Sequence, residues 1–391
     1  MDSEIVDAPL AARASLPAMT GHRRELNPSE RLDWLRLIRS ENVGPITFYQ
    51  LLARFGSAEA ALAALPEAAR RGGRARPLVL CTRDAGEREL AALHAAGAQL
   101  VAWGEPGYPR ALAAVEDAPP LLSMKGSGAL FERAAVAIVG ARNASANGRR
   151  FARDIALQLG QQRLLVVSGL ARGIDAAAHH GALATGTAAV LAGGIDQVYP
   201  EENRALHEQI AERGVLVAEM PVGTEPQARH FPRRNRIISG MSLGVLVVEA
   251  AARSGSLITA RFALEQGRDV FAVPGSPLDP RCRGTNDLIR NGATLVESAE
   301  DVLRELAPNL AASAAERRPD RFAAAPPEGA RDAETARARG LVNDLLSPHP
   351  VPVDELVRQC QLPPALVAAV LLEFELAGRL ERHPGNQVSL L

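Results

Sequence analysis

AVAIVG (135–140) and LLVVSG (164–169) are short apolar runs that each end in glycine, and the amphipathic stretch RRFARDIALQLG (149–160) lies between them. Two strands that are apolar along their whole length, joined by a helix, indicate a parallel sheet covered on both faces. The same design recurs in TAAVLAGG (187–194), VLVAEMP (215–221), GVLVVEA (244–250), DVFAVPG (269–275) and ATLVES (293–298). Helical segments such as NRALHEQIAERG and SLITARFALEQG separate them. An α/β fold is therefore expected: a Rossmann-like, doubly wound, mostly parallel sheet over about 128–306. With 92–127 as its lead-in, the central domain spans 92–308.

On the N-terminal side, Asn27-Pro28-Ser29-Glu30 supplies an N-cap, a proline at the first helical position and a glutamate three residues after the cap. RLDWLRLIRS behind it puts Leu32, Leu35, Leu37 and Ile38 on one side. A turn at Asn42-Val43-Gly44-Pro45 leads to ITFYQLLARFG and SAEAALAAL. Residues 27–91 thus predict a helical domain of the SAM-like or helix-hairpin-helix kind, preceded by a disordered tail over 1–26. On the C-terminal side, 309–335 is rich in Ala, Pro and charge without period, which predicts a linker over 309–337. LVNDLLS, VPVDELVRQCQ and PPALVAAVLLEFELAGRL read as three helices, and ERHPGNQVSLL as strand, turn and strand, so 338–391 predicts a winged-helix-like domain.

The 391 residues suit two or three domains, and 47% apolar with 23% charged residues excludes a wholly disordered chain. No window holds eighteen uninterrupted apolar residues, and the acidic start MDSEIVDAPL is no secretory signal. A cytoplasmic protein without a membrane partner is expected. Cys81, Cys282 and Cys360 are far apart and form no CxxC, which argues against zinc or a disulfide framework. The net charge of −1 provides no global basic field, so nucleic-acid binding would need a local cluster. Lys125 is the sole lysine, so a lone arginine says little and only clustered ones count.

Ligands of doubly wound sheets bind at the carboxyl ends of the strands. There the sequence places Gly140-Ala141-Arg142-Asn143, then Ser168-Gly169 with Arg172-Gly173, then Phe231 with Arg233, Arg234, Asn235 and Arg236, then Ser254-Gly255-Ser256. Glycines let a backbone approach an anion, helix N-termini present free N–H groups, and arginines add charge-assisted hydrogen bonds. Together these segments predict a phosphate-binding edge. PQARHFPRRNR (226–236) holds four arginines, no acid and one aromatic, which suits single-stranded nucleic acid with phosphates on Arg and a base on the ring. Residue types alone leave open a Phe231 that packs inward beneath solvated arginines. Asp175 is placed to pair with Arg172, and Glu249 with Arg253. The adjacent His179 and His180 point about 100° apart on a helix and make a poor metal pair. Neither GxGxxG nor the P-loop pattern is met, so no nicotinamide or nucleotide-hydrolysing cofactor site is expected.

These segments resemble one family, the DNA-processing protein A (DprA or Smf) proteins. The matching stretches are YPRALAAVEDAPPLLSMKG (108–126), VAIVGARNAS (136–145), VVSGLARGIDAAAHHGAL (166–183), AVLAGGIDQVYPEEN (189–203), FPRRNRIISGMS (231–242), VVEAAARSGSLITARFALEQGRDVFAVPG (247–275) and GTNDLIRNGA (284–293). The resemblance implies a protein that binds incoming single-stranded DNA in natural transformation, protects it and helps load the RecA recombinase. It also implies a homodimer through the sheet domain, with Leu257, Ile258, Phe262 and Leu264 available, and no need for catalysis. It carries the DNA pocket onto Gly140-Ala141-Arg142, onto Ser168, Gly169, Arg172 and Gly173, and onto Phe231 through Arg236. His230 stands where many members have Asn. The alternative is a nucleotide phosphoribohydrolase of the LOG or lysine-decarboxylase-like type, but Gly193-Gly194 is followed by Ile195-Asp196 and not by Gly-Thr-x-x-Glu. In the C-terminal domain the helix placed to enter a major groove, 363–378, has Glu373 and Glu375 and no basic residue. A duplex reader needs donors for bases and cations for phosphates. This domain is expected to pack on protein instead, with Leu366, Val370, Leu371 and Phe374 as its core or contact face.

Overall fold

The computed structural model describes residues 25–315, 332–383 and 385–391. The N-terminal domain holds α1 (Pro28–Arg39), α2 (Pro45–Phe55), α3 (Ala58–Arg71) and α4 (Arg83–Ala95). The sheet domain follows with β1 (Gln99–Ala102), α5 (Arg110–Ala113), β2 (Leu121–Gly126), β3 (Ala135–Gly140), α6 (Ala146–Gln161), β4 (Leu165–Ser168) and α7 (Ile174–Ala182). It continues with β5 (Thr187–Leu191), α8 (Arg204–Arg213), β6 (Val215–Ala218), α9 (His230–Gly240), β7 (Gly244–Val248) and α10 (Gly255–Glu265). It ends with β8 (Asp269–Ala272), α11 (Arg283–Arg290), β9 (Thr294–Leu295) and α12 (Ala299–Ala315). The C-terminal domain holds α13 (Asp332–Leu345), β10 (Val351–Pro352), α14 (Val353–Cys360), α15 (Pro364–Leu376), β11 (Leu380–His383) and β12 (Gln387–Leu390).

The nine-stranded sheet runs β1-β2-β6-β5-β4-β3-β7-β8-β9. The seven strands expected from apolar runs, β3 to β9, pair in parallel, with Val136 beside Val166 and Ile138 beside Leu246. β1 and β2, which the lead-in concealed, add an antiparallel edge. Alternate residues of each strand serve opposite faces. Val136 and Ile138 pack with Ile155, Leu159, Val302 and Leu306 on one side. Ala137 and Val139 pack with Leu112, Ile237, Ile238 and Ala260 on the other. β3, β4, β5 and β7 are buried almost throughout, which explains why they read as unbroken apolar runs.

The N-terminal domain begins as the cap predicts: Asn27 accepts from the Glu30 N–H at 2.9 Å, and the Glu30 carboxylate accepts from the Asn27 N–H at 3.0 Å. Arg31 ties α1 to the sheet domain by donating to Glu105 at 2.7 Å. Of the expected 1–26 tail, residues 1–24 lie outside the described residues, and the Leu26 N–H donates to Glu105 at 2.7 Å. The 309–337 stretch is helical at both ends, because α12 runs to Ala315 and α13 starts at Asp332; residues 316–331 lie outside the described residues.

In the C-terminal domain Leu366, Val370, Leu371 and Phe374 form the core with Ala338, Val342, Leu356 and Val388. Leu372 and Leu376 face the other way and join the N-terminal domain's core. Asn42 donates to the Leu376 carbonyl at 3.2 Å, Arg379 to the Gly72 carbonyl at 3.2 Å, and Arg382 to Gln50 at 3.3 Å. Gly72 sits so close that a Cβ there would lie 1.9 Å from the Glu373 carbonyl oxygen. α15 is therefore covered by its own domain and by the N-terminal one.

Candidate nucleic-acid interface

The carboxyl ends of β3, β4 and β5, with the start of α9, enclose a pocket of about 330 Å³ lined by Arg142, Asn143, Gly169, Ala171, Arg172, Tyr199, Pro200, Phe231 and Arg234. Three of the four expected segments meet there, those of Arg142, of Gly169 with Arg172, and of Phe231 with Arg234, but their side chains divide the work differently.

Arg142 is exposed, and its guanidinium lies 5.0 Å from the Phe231 ring centroid. Arg172 is also exposed and pairs with Glu202 at 2.7 Å, not with Asp175. Asp175 is buried and accepts from the Gly169 and Ala171 N–H groups at 3.2 and 3.3 Å, which fixes the loop after β4. Burial raises its pKa, against the pull of Arg234 and the two N–H donors. Arg234 is 6% exposed, lies 5.8 Å from the Phe231 ring, and keeps its Nε without a hydrogen-bond partner. Burial lowers its pKa to about 10, and Asp175 opposes that shift. Gly169 is the residue this packing requires, since a Cβ would lie 1.4 Å from an Arg234 nitrogen. Gly173, at φ 76°, lets the α7 N-terminus meet the loop after β3, where a Cβ would be 2.2 Å from the Ala141 carbonyl oxygen.

The basic segment is a helix and not a loop, because α9 starts at His230. Successive helical residues are turned by about 100°, so the arginine run is split among three directions. Arg234 enters the pocket, Arg233 is exposed 3.7 Å from Glu219, and Arg236 points to the core. Arg236 donates to Glu219 at 2.5 Å and to the Asp117 carbonyl at 2.6 Å. Burial works against its charge, but Glu219 and Asp117 outweigh it and raise its pKa. Arg236 is thus a structural arginine and is removed from the expected phosphate set. Asn235 donates to the Gly255 carbonyl at 3.3 Å and also lies off the pocket. His230 is buried, its Nδ1 accepting from the Gln227 N–H at 3.2 Å, and it shapes the entry to α9.

Four further expectations are corrected by packing. Ser168 is buried and donates to the Ile138 carbonyl at 2.6 Å, and Gly140 serves close strand contact, with a Cβ position 1.9 Å from the Val248 carbonyl oxygen. Ser254, Gly255 and Ser256 open α10 away from the pocket, the Ser254 and Ser256 hydroxyls 2.7 Å apart. Glu249 does not turn to Arg253. It accepts from the Ser145 N–H at 2.8 Å and from the Ser145 hydroxyl, and so fills the crevice between β3 and β7 with its own carboxylate.

The sequence reading missed Tyr199. It is 47% exposed, its ring centroid 5.6 Å from that of Phe231 at 59° between planes. The one signal in the sequence was rarity, since tyrosine occurs three times in the chain; Tyr199 itself lies well inside the connection between β5 and α8. Phe231 itself is half-buried, neither fully in the core nor open.

Among the described residues no helix is long and apolar enough to cross a membrane. On α10, Leu264 is 62% exposed, whereas Leu257 packs on the core and Ile258 and Phe262 are half-buried.

The chain matches three family descriptions: DNA recombination-mediator protein A over residues 99–307, a DprA-like N-terminal HHH domain over 28–92, and a DprA winged helix domain over 324–386. It is 44% identical over 222 residues to the DNA processing protein DprA of Bacillus subtilis, covering 56% of this chain and 75% of that one. The crystal structure of DNA processing protein A from Streptococcus pneumoniae superposes with a TM-score of 0.58 at 36% identity, covering 70% of this chain and 95% of that one. The Helicobacter pylori protein, whose structure is described for its single-stranded DNA binding mode, gives 0.50 at 26% identity, covering 54% of this chain and 96% of that one. With its sheet domain and both flanking domains matched in order, the chain belongs to the DNA recombination-mediator protein A family, the DprA/Smf proteins.

Proposed function

We propose that the protein binds single-stranded DNA during natural transformation, protects it and helps load RecA recombinase. The observation that carries this is the strand-end pocket, in which Arg142, Arg172 and Arg234 surround the Tyr199–Phe231 pair. Cations for a backbone and rings for a base, set side by side, are what single-strand binding requires. The relative from Helicobacter pylori, whose structure is described for its single-stranded DNA binding mode, supports the same reading. Arg142 and Arg172 hold phosphates at the mouth, and Arg233 extends the positive rim. The protein works in the cytoplasm as a homodimer through the sheet domain, with the exposed Leu264 on α10 and the 92% exposed Leu278 as apolar contacts.

A salt series on single-stranded and duplex DNA tests the reading. Log affinity for the single strand falls linearly with log salt, and the duplex binds more weakly. Equal binding of both forms, or no salt dependence, would overturn it. Binding requires no turnover, so nucleoside monophosphates incubated with the protein stay intact; release of free base would instead support the phosphoribohydrolase alternative. A monomeric mass at micromolar concentration would remove the dimer.

A further inference from the structure

The pocket's walls differ in what they offer a base. Phe231 has Arg142 at 5.0 Å and Arg234 at 5.8 Å from its ring centroid, so guanidinium groups already attend its ring. Tyr199 is the more exposed ring of the pair. The inner wall is Arg234, almost fully buried, with an Nε that no protein acceptor satisfies. A guanidinium offers donors only. The nearby carboxylate of Asp175 accepts from the Gly169 and Ala171 N–H groups through Oδ2 and is not among the residues that line the pocket. Asn143, which carries an acceptor, lies exposed where the pocket opens to solvent.

Resting on the single-strand reading above, we infer that Tyr199 is the platform on which a base stacks and that Arg234 makes the pocket select keto bases over adenine. Guanine presents O6 and N7 as adjacent acceptors, and thymine presents carbonyl oxygens. Adenine presents an amino group where guanine has O6, and an amine facing a buried guanidinium leaves donors opposed with no acceptor between them. A buried donor left unmatched is costly in a way that a rim contact is not.

The test uses the full-length protein and short single strands in which every second position is abasic and the others carry thymine, hypoxanthine or adenine. Hypoxanthine keeps the guanine O6 and N7 on an adenine-shaped ring, and the abasic spacing suppresses stacking within the strand. Thymine and hypoxanthine strands should bind about tenfold more tightly than the adenine strand. Arg234→Gln, whose amide supplies both a donor and an acceptor, should collapse that ratio. Tyr199→Ala should weaken every base-bearing strand by about tenfold and leave a fully abasic strand unaffected, and Tyr199→Trp should restore binding with quenched indole fluorescence. Equal affinity for the three strands overturns the keto selection. A Tyr199→Ala loss that is as large on the abasic strand overturns the stacking role. Failure of the unaltered protein to bind any of the strands would instead sink the single-strand reading itself.

Discussion

α9 and α15 are the two helices a reader of folds would hand to DNA, and they meet opposite fates. α9 opens a basic segment at a strand-end pocket and places one arginine in that pocket and another in solvent beside Glu219. α15 occupies the position of a groove-reading helix in a winged-helix domain, yet it is buried on both sides, and Glu373 is 1% exposed and paired with Arg339 at 2.6 Å. The contrast teaches that a motif's place in a fold does not make it a ligand site; charge and access do. A helix whose leucines complete another domain's core has no face left for a phosphate backbone.

The comparison can be broken most severely at Arg236, the arginine of α9 that behaves like a core residue. Arg236→Ala leaves Glu219 buried without its main partner, so thermal or denaturant unfolding should show a loss of about 3–5 kcal/mol. The single-strand salt slope of the surviving folded protein should not change; a reduced slope with intact stability would return Arg236 to the phosphate set.

Leu376 probes the other helix. Leu376→Ala should lower stability by about 2–4 kcal/mol, measured by chemical denaturation, because its side chain fills the N-terminal domain's core. DNA affinity should remain within about twofold. A chain ended near residue 307 should likewise keep most single-strand binding while its N-terminal domain melts earlier. A large affinity loss in that truncation, with the remainder folded, would show that the C-terminal domain contacts DNA after all.

Arg142→Ala sharpens the contrast from the pocket side. It should cost about 1.5–3 kcal/mol of single-strand binding and reduce the salt slope by about 0.7, with little change in melting. Unchanged affinity and slope would take Arg142 out of the interface.

The smallest effect concerns the ground beneath the pocket. His179 on α7 is fully buried, its Nδ1 2.8 Å from the Thr187 hydroxyl, and burial lowers its pKa to about 3. The Thr187 hydroxyl donates to the Val166 carbonyl, so the histidine donates through Nδ1, and burial keeps it neutral. Only the unfolded chain takes up this proton near pH 6.5, so the stabilisation is complete above that value and is lost as pH falls towards 3. Between pH 6.5 and 5.5 the loss is about 1 kcal/mol. His179→Asn should unfold with a shallower pH dependence over that interval; an identical slope would place the titration elsewhere.

The legibility of the molecule in its sequence follows the same physics. The parallel strands β3 to β7 were readable because burial on both faces leaves almost no polar residue in them. β1 and β2 escaped because they are short, antiparallel and of ordinary composition, QLVA at the sheet edge and LLSMKG beside it, the second carrying Lys125. Arg142, Gly169, Arg172, Phe231 and Arg234 were legible as strand-end residues, and all five line the pocket. Arg236 was overread because an arginine run looks uniform on paper while a helix turns each member to a new side. Tyr199 was missed because nothing in VYPEEN resembles a phosphate loop; only the fold brings it to Phe231.

The docking of α15 on the first domain has a topological consequence. Asn42 and Leu376 are 334 residues apart in sequence and joined by a hydrogen bond, so the last domain closes the chain on its first like a clasp. A single proteolytic cut between residues 316 and 331 would leave two pieces held by that clasp, which should travel together in gel filtration. New chain ends placed in that interval would not open the molecule. The same tether keeps the C-terminal domain at high local concentration, so a rival helix offered from outside would have to compete against a partner that never diffuses away.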